Sequence, residues 1–261
     1  MALLKCHFIA ESLGLSTSMT VLLPQPSRAN GMNPESRKYK TLFLLHGFSD
    51  DDTIWTRRTS VERYADEHGI AVVMPNVHRS YYANMVHGGD YWTFLTEELP
   101  FLARSMFPLS DKPEDNFVAG LSMGGYGAFK WALSHPERFA AAGSFSGAVD
   151  LAAFIQKSKD DENRRRSFGL IFGDDPVEGT DNDLLELLKR GAKADAALPP
   201  LYQWCGTEDF LYEENLSFRD ACRESAYELD YSEGPGDHSW GHWDSQIKHY
   251  LSWLSKKGLL K

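Results

Sequence analysis

The chain has 261 residues, a hydrophobic fraction of 42% and a formal net charge of −10, because 27 Lys and Arg residues stand against 37 Asp and Glu residues. This length and apolar content suffice for one large α/β domain, and we predict a single domain over residues 1–261. The negative charge argues against nucleic acid or an anionic membrane as the main partner. Neither a signal peptide nor a membrane-spanning run is evident, and the three cysteines have no metal-like spacing. We therefore expect a cytoplasmic protein without a disulfide framework.

Strands and helices alternate from the N-terminus onward. The run Thr41–Leu45 is apolar without interruption, which is typical of a parallel strand buried on both faces, and it ends directly before His46-Gly47-Phe48. Ile70–Met74 has the same character. In this part of the chain we predict strands at 3–10, 17–24, 41–45 and 70–74, a polar loop from Pro26 to Lys38 and a helix from Thr53 to Glu67.

The loop Val77–Asp90 is unusually long and aromatic. It carries Tyr81, Tyr82 and a Gly88-Gly89 pair, so we interpret it as more than a connection between two elements. The elements predicted after it are a helix from Tyr91 to Phe107, a strand that ends with Phe117–Ala119, a helix that begins near Ala128 and stops at His135-Pro136, and a strand at 139–145.

The stretch Gly120–Gly127 contains a G-x-S-x-G motif. An apolar strand precedes it and a helical segment follows it, and this is the context in which the motif holds a nucleophilic serine. The turn is so sharp that residues without bulky side chains are needed on both sides, which Gly120 and Gly124 provide. We predict that Ser122 is a nucleophile exposed at the carboxyl edge of the sheet. The alternative is that Ser122 only caps a glycine-rich helix.

Residues 148–199 interrupt the alternation of strands and helices. The segment contains one good helix at Asp183–Arg190 and the basic run Arg164-Arg165-Arg166, which we interpret as a solvated helix face rather than a phosphate site. We predict that the segment is a small cap-like excursion over the site. The chain then resumes with a strand at 201–205, a helix at 212–225, a strand at 227–232 and a terminal helix at about 240–257. The whole pattern predicts an α/β fold with a doubly wound, mostly parallel sheet.

A serine nucleophile needs a base to take its proton and an acid to hold that base in its correct tautomer. In this type of fold the order along the chain is Ser, acid, His. His238 follows the last predicted strand in a Gly-Pro-Gly loop, and we predict it as the base, with His242 as the alternative. Asp209 follows the preceding predicted strand, and we predict it as the acid, with Glu208 as the alternative. His238 and His242 also have the i, i+4 spacing of a metal site, but no third ligand lies nearby, so we predict neither a metal nor another cofactor.

The oxyanion that forms when the serine attacks a carbonyl carbon needs two preorganised N–H donors. We predict the backbone N–H of Met123, directly after the nucleophile, and the backbone N–H of Phe48, where Gly47 permits close approach. Trp92 and Trp240 are predicted to contact the substrate, because bulky side chains near the nucleophile would shorten an acyl pocket.

Four motifs stand in a characteristic order along the chain: His46-Gly47-Phe48 with Trp55, then Gly120–Gly127, then Trp204–Tyr212, then Gly236–Trp240. They resemble the esterase D / S-formylglutathione hydrolase group of α/β-hydrolases, and within it most closely the small bacterial tributyrin esterases. The likeness runs from about Phe8 to Trp253 and is weakest over residues 155–199. It implies an α/β-hydrolase fold and a serine carboxylesterase for acetyl to butyryl esters, in some members for acetylated sugars. Carried over by motif, the triad is Ser122, Asp209 and His238.

Other functions stay open on the sequence. S-formylglutathione hydrolysis would require a site for a carboxylate, for which Arg57 and Arg58 are the candidates. Acetylxylan or feruloyl ester hydrolysis would use the aromatic loop 81–92 to stack sugars. A catalytically silent binding module is the alternative outside the enzymes, although Ser, Asp and His all stand in loop positions. The expected partner is a small-molecule ester, and assembly into a homo-oligomer is left open.

Overall fold

A computed structural model of the chain describes residues 1–25, 38–191 and 198–260. Its strands are β1 (Ala2–Ala10), β2 (Leu15–Leu23), β3 (Thr41–Leu45), β4 (Ala71–Pro75), β5 (Asn116–Leu121), β6 (Ala141–Phe145), β7 (Leu201–Gly206) and β8 (Leu229–Gly234). They form one eight-stranded sheet in the order β1-β2-β4-β3-β5-β6-β7-β8. The pairs β1/β2 and β2/β4 are antiparallel, and the other five pairs are parallel.

The helices lie between the parallel strands and at the C-terminal end. They are α1 (Ile54–Arg58), α2 (Val61–His68), α3 (Tyr91–Thr93), α4 (Leu99–Met106), α5 (Met123–Ser134), α6 (Leu151–Lys157), α7 (Glu162–Phe172), α8 (Leu184–Gly191), α9 (Tyr212–Arg223) and α10 (Trp240–Lys256). A π-helical stretch, Phe94–Glu98, joins α3 to α4, and short 3₁₀ turns occupy Pro113–Asp115 and Pro136–Arg138.

The central strands are buried at every position because helices cover both faces of the sheet. Successive residues of β3 therefore enter two different cores. Phe43 and Leu45 belong to the core that contains α5, whereas Leu42 and Leu44 belong to the core that contains α10. This arrangement confirms the predicted doubly wound, mostly parallel sheet of the α/β-hydrolase type. Among the described residues, no helix is both long enough and apolar enough to cross a membrane.

Several element boundaries differ from the prediction. The helix expected from Thr53 to Glu67 is two helices, α1 and α2, and the break is fixed by Asp244, whose Oδ1 accepts a hydrogen bond from the backbone N–H of Ser60 at 2.9 Å. The helix expected over 91–107 has its π-helical stretch in the middle. Strand β8 begins and ends two residues later than expected. Of the predicted polar loop at 26–38, residues 26–37 lie outside the described residues.

The segment between β6 and β7 carries three helices, α6, α7 and α8, and the helix predicted at Asp183–Arg190 corresponds to α8. Residues 192–197 of this segment lie outside the described residues. The segment is attached to the nucleophile helix α5, because Tyr126 Oη donates a 2.9 Å hydrogen bond to the carbonyl of Asn182. It is also attached near the start of α9, where Lys157 Nζ donates to the carbonyl of Phe210 at 2.8 Å. These contacts place the segment of α6, α7 and α8, called the cap-like segment below, against α5 and the start of α9.

Candidate active site

Ser122 stands at the apex of the turn from β5 to α5. Its backbone has φ 53° and ψ −119°, a conformation that is strained for any residue with a side chain. The strain is imposed by close packing, since a Cβ atom on Gly120 would collide with the backbone of Gly124, and one on Gly124 would collide with the carbonyl of Leu45. The turn is therefore fixed by the contact of α5 with β3, and it directs the Ser122 hydroxyl out of the sheet edge.

The side chain of His238 lies against this hydroxyl. Its Nε2 atom is 2.9 Å from Ser122 Oγ, a distance at which the hydroxyl donates a hydrogen bond to the imidazole. The other candidate, His242, stacks on Trp204 with ring centroids 5.6 Å apart, and its Nε2 is 3.7 Å from Asp237. Of the two histidines, His238 is thus the one in contact with the serine.

Asp209 holds the opposite side of the His238 ring. Its Oδ2 and Oδ1 atoms are 2.8 and 3.0 Å from His238 Nδ1, and its side chain has no solvent exposure. The carboxylate is itself oriented by the backbone N–H of Leu211, which donates to Oδ1 at 2.9 Å. Glu208 does not reach the histidine and instead accepts a hydrogen bond from the backbone N–H of Gly236. Ser122, His238 and Asp209 therefore form a continuous hydrogen-bonded chain.

Two aromatic rings fix the position of the imidazole between these partners. The ring of Phe210 is 4.5 Å from the His238 ring, and the ring of Trp243 is 4.9 Å from it in an edge-on arrangement. Because Phe210 comes from the loop before α9 and Trp243 from α10, the histidine is clamped between two elements. Such packing leaves the ring few alternatives to the orientation that bonds Ser122.

The turn His46-Gly47-Phe48 lies directly beside the nucleophile. A Cβ atom on Gly47 would be 2.7 Å from Leu121 Cδ1 and 3.8 Å from Ser122 Cβ, so a side chain here would displace the neighbours of the nucleophile. The backbone N–H groups of Phe48 and Met123 donate no hydrogen bond to any of the described residues. Both donors are thus available next to Ser122, as an oxyanion site requires.

His46 supports this turn from beneath. It is buried, with 1% of its surface exposed, and its Nδ1 lies 2.7 Å from the Gly47 carbonyl, while its Nε2 accepts from the Val77 N–H at 3.1 Å. These contacts identify Nδ1 as the protonated nitrogen of a neutral ring. Burial lowers the pKa of His46 from 6.5 to about 4. The structural role expected for His46 agrees with this position.

The burial of His46 predicts how stability depends on pH. The pKa of His46 is about 4 in the folded state and 6.5 in the unfolded state. Neutral His46 therefore contributes to the free energy of unfolding above pH 6.5, and this contribution is lost as the pH falls towards 4, because protonation favours the unfolded state. We expect the free energy of unfolding to decrease by about 2 kcal/mol more in the native chain than in His46→Gln between pH 7 and pH 5. Urea denaturation at both pH values measures this, with His249→Gln on the exposed face of α10 as the control. Equal pH dependence in the native chain and His46→Gln would contradict it.

A small cavity opens at Ser122. Its volume is about 60 Å³, and it is lined by Phe48, Tyr81, Ser122, Phe154, Arg164, Ser167, Phe168, Phe210 and Leu211. One water-sized group needs roughly 10–15 Å³, so the cavity accepts roughly four to six non-hydrogen atoms. Most of the wall is aromatic, and the part supplied by α6 and α7 belongs to the cap-like segment.

The two tryptophans predicted to contact the substrate are not in this wall. Trp92 stacks on His135, and its ring is 4.2 Å from Lys130 Nζ. Since His135 follows the last residue of α5, and a helix of that length extends about 18 Å, Trp92 is at the wrong end of α5 for substrate contact. Trp240 packs edge-on against Trp55 and Trp243 and is also absent from the cavity wall. The structure therefore brings neither tryptophan to the cavity at Ser122, since Trp92 packs on His135 and Trp240 packs on Trp55 and Trp243.

Sequence reasoning missed most of the residues that do line the cavity. Phe154, Phe168 and Arg164 come from the cap-like segment, where the sequence shows no motif. The sequence identifies Tyr81 only as part of an aromatic loop, because its position in the cavity wall depends on backbone conformations that no sequence pattern predicts. Tyr81 and Tyr82 have φ 49° and 51°. Phe48 and Phe210 can be identified from the sequence, because Phe48 is predicted as an oxyanion donor and Phe210 directly follows Asp209.

The described residues contain no cluster of three or more His, Cys, Asp or Glu side chains that could hold a metal ion. His238 and His242, which have the i, i+4 spacing of a metal site, instead face Ser122 and Trp204, respectively. The chemistry available at Ser122 is thus that of a hydroxyl, an imidazole and a carboxylate, with two free N–H groups beside them.

Comparisons with known proteins agree with this geometry. Residues 10–254 match the family model for esterases described as "Putative esterase". The chain is 28% identical to an acetyl esterase of Caldicellulosiruptor saccharolyticus, over 98% of this chain and 99% of that protein. Among solved structures it is similar to FphF, a fluorophosphonate-binding serine hydrolase of Staphylococcus aureus, with 38% identity, a TM-score of 0.88 and coverage of 97% of this chain and 98% of that chain.

The S-formylglutathione hydrolase FrmB of Staphylococcus aureus is a second structural relative, with 37% identity, a TM-score of 0.85 and the same coverage. The family match covers nearly the whole chain, so the resemblance to the esterase D / S-formylglutathione hydrolase group is confirmed. The chain belongs to this esterase family, as a carboxylic ester hydrolase with the α/β-hydrolase fold.

Proposed function

We propose that the enzyme hydrolyses esters of short carboxylic acids, with Ser122 as nucleophile, His238 as general base and acid, and Asp209 as the residue that orients His238. The observation that carries this proposal is the unbroken contact from Ser122 Oγ through His238 to Asp209 on a strained turn. In this arrangement a neutral imidazole takes the serine proton as Oγ attacks the ester carbon. The carboxylate stabilises the imidazolium that results.

The charge of the tetrahedral intermediate is held by the backbone N–H groups of Phe48 and Met123, which have no other partner among the described residues. His238 then returns its proton to the leaving alcohol, and an acyl group remains on Ser122. A water molecule takes the place of the alcohol, gives its proton to His238 and attacks the acyl carbon. The bond between Ser122 Oγ and the acyl carbon then breaks, and His238 returns the proton to Oγ. The products are the free acid and the alcohol, and no cofactor takes part.

The size of the cavity supports acyl groups from acetyl to butyryl. A buried methylene contributes about 0.8 kcal/mol only where there is room for it, and the space beside Ser122 is about 60 Å³. Phe168, which is buried in the core, closes one side of this space. Longer chains meet its ring rather than an extended channel.

The small volume of the cavity predicts how kcat/KM depends on acyl chain length. We expect kcat/KM for p-nitrophenyl esters to be highest between acetate and butyrate and to fall at least tenfold by octanoate, because the extra carbons have no space. The series is measured below and above the critical micelle concentration, and Phe168→Val provides an enlarged cavity that should shift the optimum to longer chains. A rate that increases through octanoate in the native enzyme, or that rises sharply when micelles form, would refute a closed acyl pocket.

The relatives suggest a thioester as the second candidate substrate, since FrmB is an S-formylglutathione hydrolase and a formyl group fits the same cavity.

Plant cell-wall esters receive less support. The aromatic loop expected to stack sugars has Tyr81, Tyr82 and Tyr91 buried, and Trp92 packs on His135. Parallel assays with p-nitrophenyl acetate, S-formylglutathione and acetylated xylan separate these candidates.

A further inference from the structure

Arg164, on the cap helix α7, supplies a positive charge to the wall of the cavity that contains Ser122. We propose that Arg164 binds a carboxylate on the alcohol half of the ester, so that acyl esters of hydroxy acids are preferred over neutral esters of the same size. This inference rests on the proposed function, and it concerns the substrate class of the same site.

The position of the guanidinium is fixed by two aromatic rings. Its central carbon is 4.8 Å from the ring centroid of Phe154 and 5.2 Å from that of Phe210. Stacking on aromatic faces is a preferred arrangement for arginine and leaves the edge of the guanidinium free to donate hydrogen bonds. This geometry corrects the interpretation of Arg164-Arg165-Arg166 as a solvated face. Arg165 and Arg166 are exposed, but Arg164 is partly buried against the site.

The hydrogen-bonding capacity of Arg164 is mostly unused. Nη1 donates to Ser158 Oγ at 3.3 Å, and Nε is 3.6 Å from Asp161 Oδ2, whereas Nη2 makes no hydrogen bond with the described residues. The neighbouring cation Lys157 differs, because its Nζ is already bonded to the Phe210 carbonyl and to the buried Glu214. The side chain of Arg164 is 38% exposed, so a substrate reaches it from solvent. A bidentate carboxylate is the partner that such a free edge accepts best.

The contacts of Phe210 assign Arg164 to the alcohol half of the substrate. His238 Nε2 must give a proton to the leaving oxygen, so the alcohol lies against the imidazole during the reaction. The ring next to that imidazole is Phe210, at 4.5 Å, and Arg164 covers Phe210. The opposite wall, with Phe48 and its free N–H, belongs to the oxyanion and not to the leaving group.

A second arginine provides the competing explanation. The guanidinium of Arg79 lies 5.2 Å from the ring centroid of Phe48, but it lines a different cleft that does not include Ser122. If Arg79 bound the carboxylate, the preference for the negatively charged ester would be reduced by substitution of Arg79 and not by substitution of Arg164. Arg165, next in the chain, is exposed and lines a different cleft that does not include Ser122, so it is the matched control for loss of one positive charge.

The experiment compares 4-acetoxybenzoate, which carries a carboxylate on its alcohol half, with its neutral methyl ester. We expect the ratio of their kcat/KM values to fall about tenfold in Arg164→Gln, to fall less in Arg164→Lys and to stay unchanged in Arg165→Gln, because one charge-assisted hydrogen-bonded pair contributes roughly that factor. Comparing ratios between variants cancels the intrinsic difference in reactivity of the two esters. The preference should also weaken at high salt, since the pair is partly exposed.

Three results would overturn the inference while leaving ester hydrolysis intact. The first is an unchanged ratio of kcat/KM values in Arg164→Gln. The second is a fall of this ratio in Arg79→Gln instead. The third is an Arg164-dependent preference for mono-p-nitrophenyl succinate, whose carboxylate is on the acyl half. Failure of the native enzyme to hydrolyse either acetoxybenzoate, or p-nitrophenyl acetate, would instead reject the proposed function and the inference with it.

Discussion

Ser122→Ala is expected to lower kcat for p-nitrophenyl acetate by on the order of 10⁴- to 10⁶-fold, leaving only the contribution of the oxyanion donors and of binding. The physical reason is that Oγ forms the covalent bond to the acyl carbon, so no other atom of the site replaces it. The fold should survive, because alanine fits the same tight turn and loses only the contact with His238 Nε2. Circular dichroism and the urea midpoint check this.

Fluorophosphonate labelling provides an independent measurement of the same residue. The native enzyme should be labelled at Ser122, and Ser122→Ala should not be labelled. Ser167 is the matched control, because it also lines the cavity but donates its hydroxyl to the Asn163 carbonyl at 2.9 Å. Ser167→Ala should be labelled like the native enzyme. Activity near the native level in Ser122→Ala, or labelling that depends on Ser167, would remove Ser122 from the role of nucleophile.

The fold could be predicted from the sequence because its central strands carry a strong physical signal. A strand covered by helices on both sides is apolar at every position, so β3 appears in the sequence as an uninterrupted run. No comparable pattern in the sequence predicts the break between α1 and α2 at Thr59–Ser60. It depends on Asp244, which lies far along the chain in α10 and accepts the hydrogen bond of the Ser60 N–H.

The site residues that could be predicted also have a local sequence pattern, whereas the missed ones depend on contacts between residues distant in sequence. Ser122, Asp209 and His238 each follow a recognisable strand, and the carboxyl ends of parallel strands meet at one edge of the sheet. The cavity wall is different, because Phe154 and Phe168 come from helices whose docking on the sheet is not encoded locally. Trp92 likewise packs on His135 at the far end of α5, a contact that no local pattern in the sequence predicts.

The loop 77–82 is where local prediction fails most clearly. His78, Tyr81 and Tyr82 all have positive φ, at an energetic cost of about 1–3 kcal/mol each. The surrounding contacts must compensate for this cost. Lys130, buried in α5 with its pKa lowered to about 7 by burial, donates to the Tyr82 carbonyl at 3.1 Å. Tyr82 Oη in turn donates to the His46 carbonyl at 2.9 Å.

This network joins the cap-like segment to the oxyanion turn. Lys130 Nζ also donates to Asn182 Oδ1 at 2.7 Å, and Asn182 lies two residues before the start of α8. The chain of contacts therefore runs from the cap-like segment through α5 and Tyr82 to His46, which precedes Gly47 and Phe48. None of these pairs is close in sequence, which is why the position of Tyr81 in the cavity could not be inferred from the loop itself.

Substitutions of the two residues behind the nucleophile test the other half of the proposed mechanism. His238→Gln is expected to lower kcat by on the order of 10⁴-fold or more, because no base then receives the serine proton. Asp209→Asn should have an effect of on the order of 10⁴-fold, since an amide NH₂ facing Nδ1 favours the tautomer with its proton on Nε2, which cannot accept from Ser122. Stopped assays with p-nitrophenyl acetate at enzyme excess resolve rates this low.

Each of these variants has a neighbour that serves as its control. His242→Gln removes an imidazole that stacks on Trp204 and does not contact Ser122, and Glu208→Gln removes a carboxylate that bonds the Gly236 N–H and not the histidine. Both controls should keep kcat within a few-fold of the native value, because neither side chain touches the hydrogen-bonded chain from Ser122 to Asp209. If His242→Gln lost activity and His238→Gln kept it, the base would be His242. If Glu208→Gln were as damaging as Asp209→Asn, the buried carboxylate would not be the group that orients the imidazole.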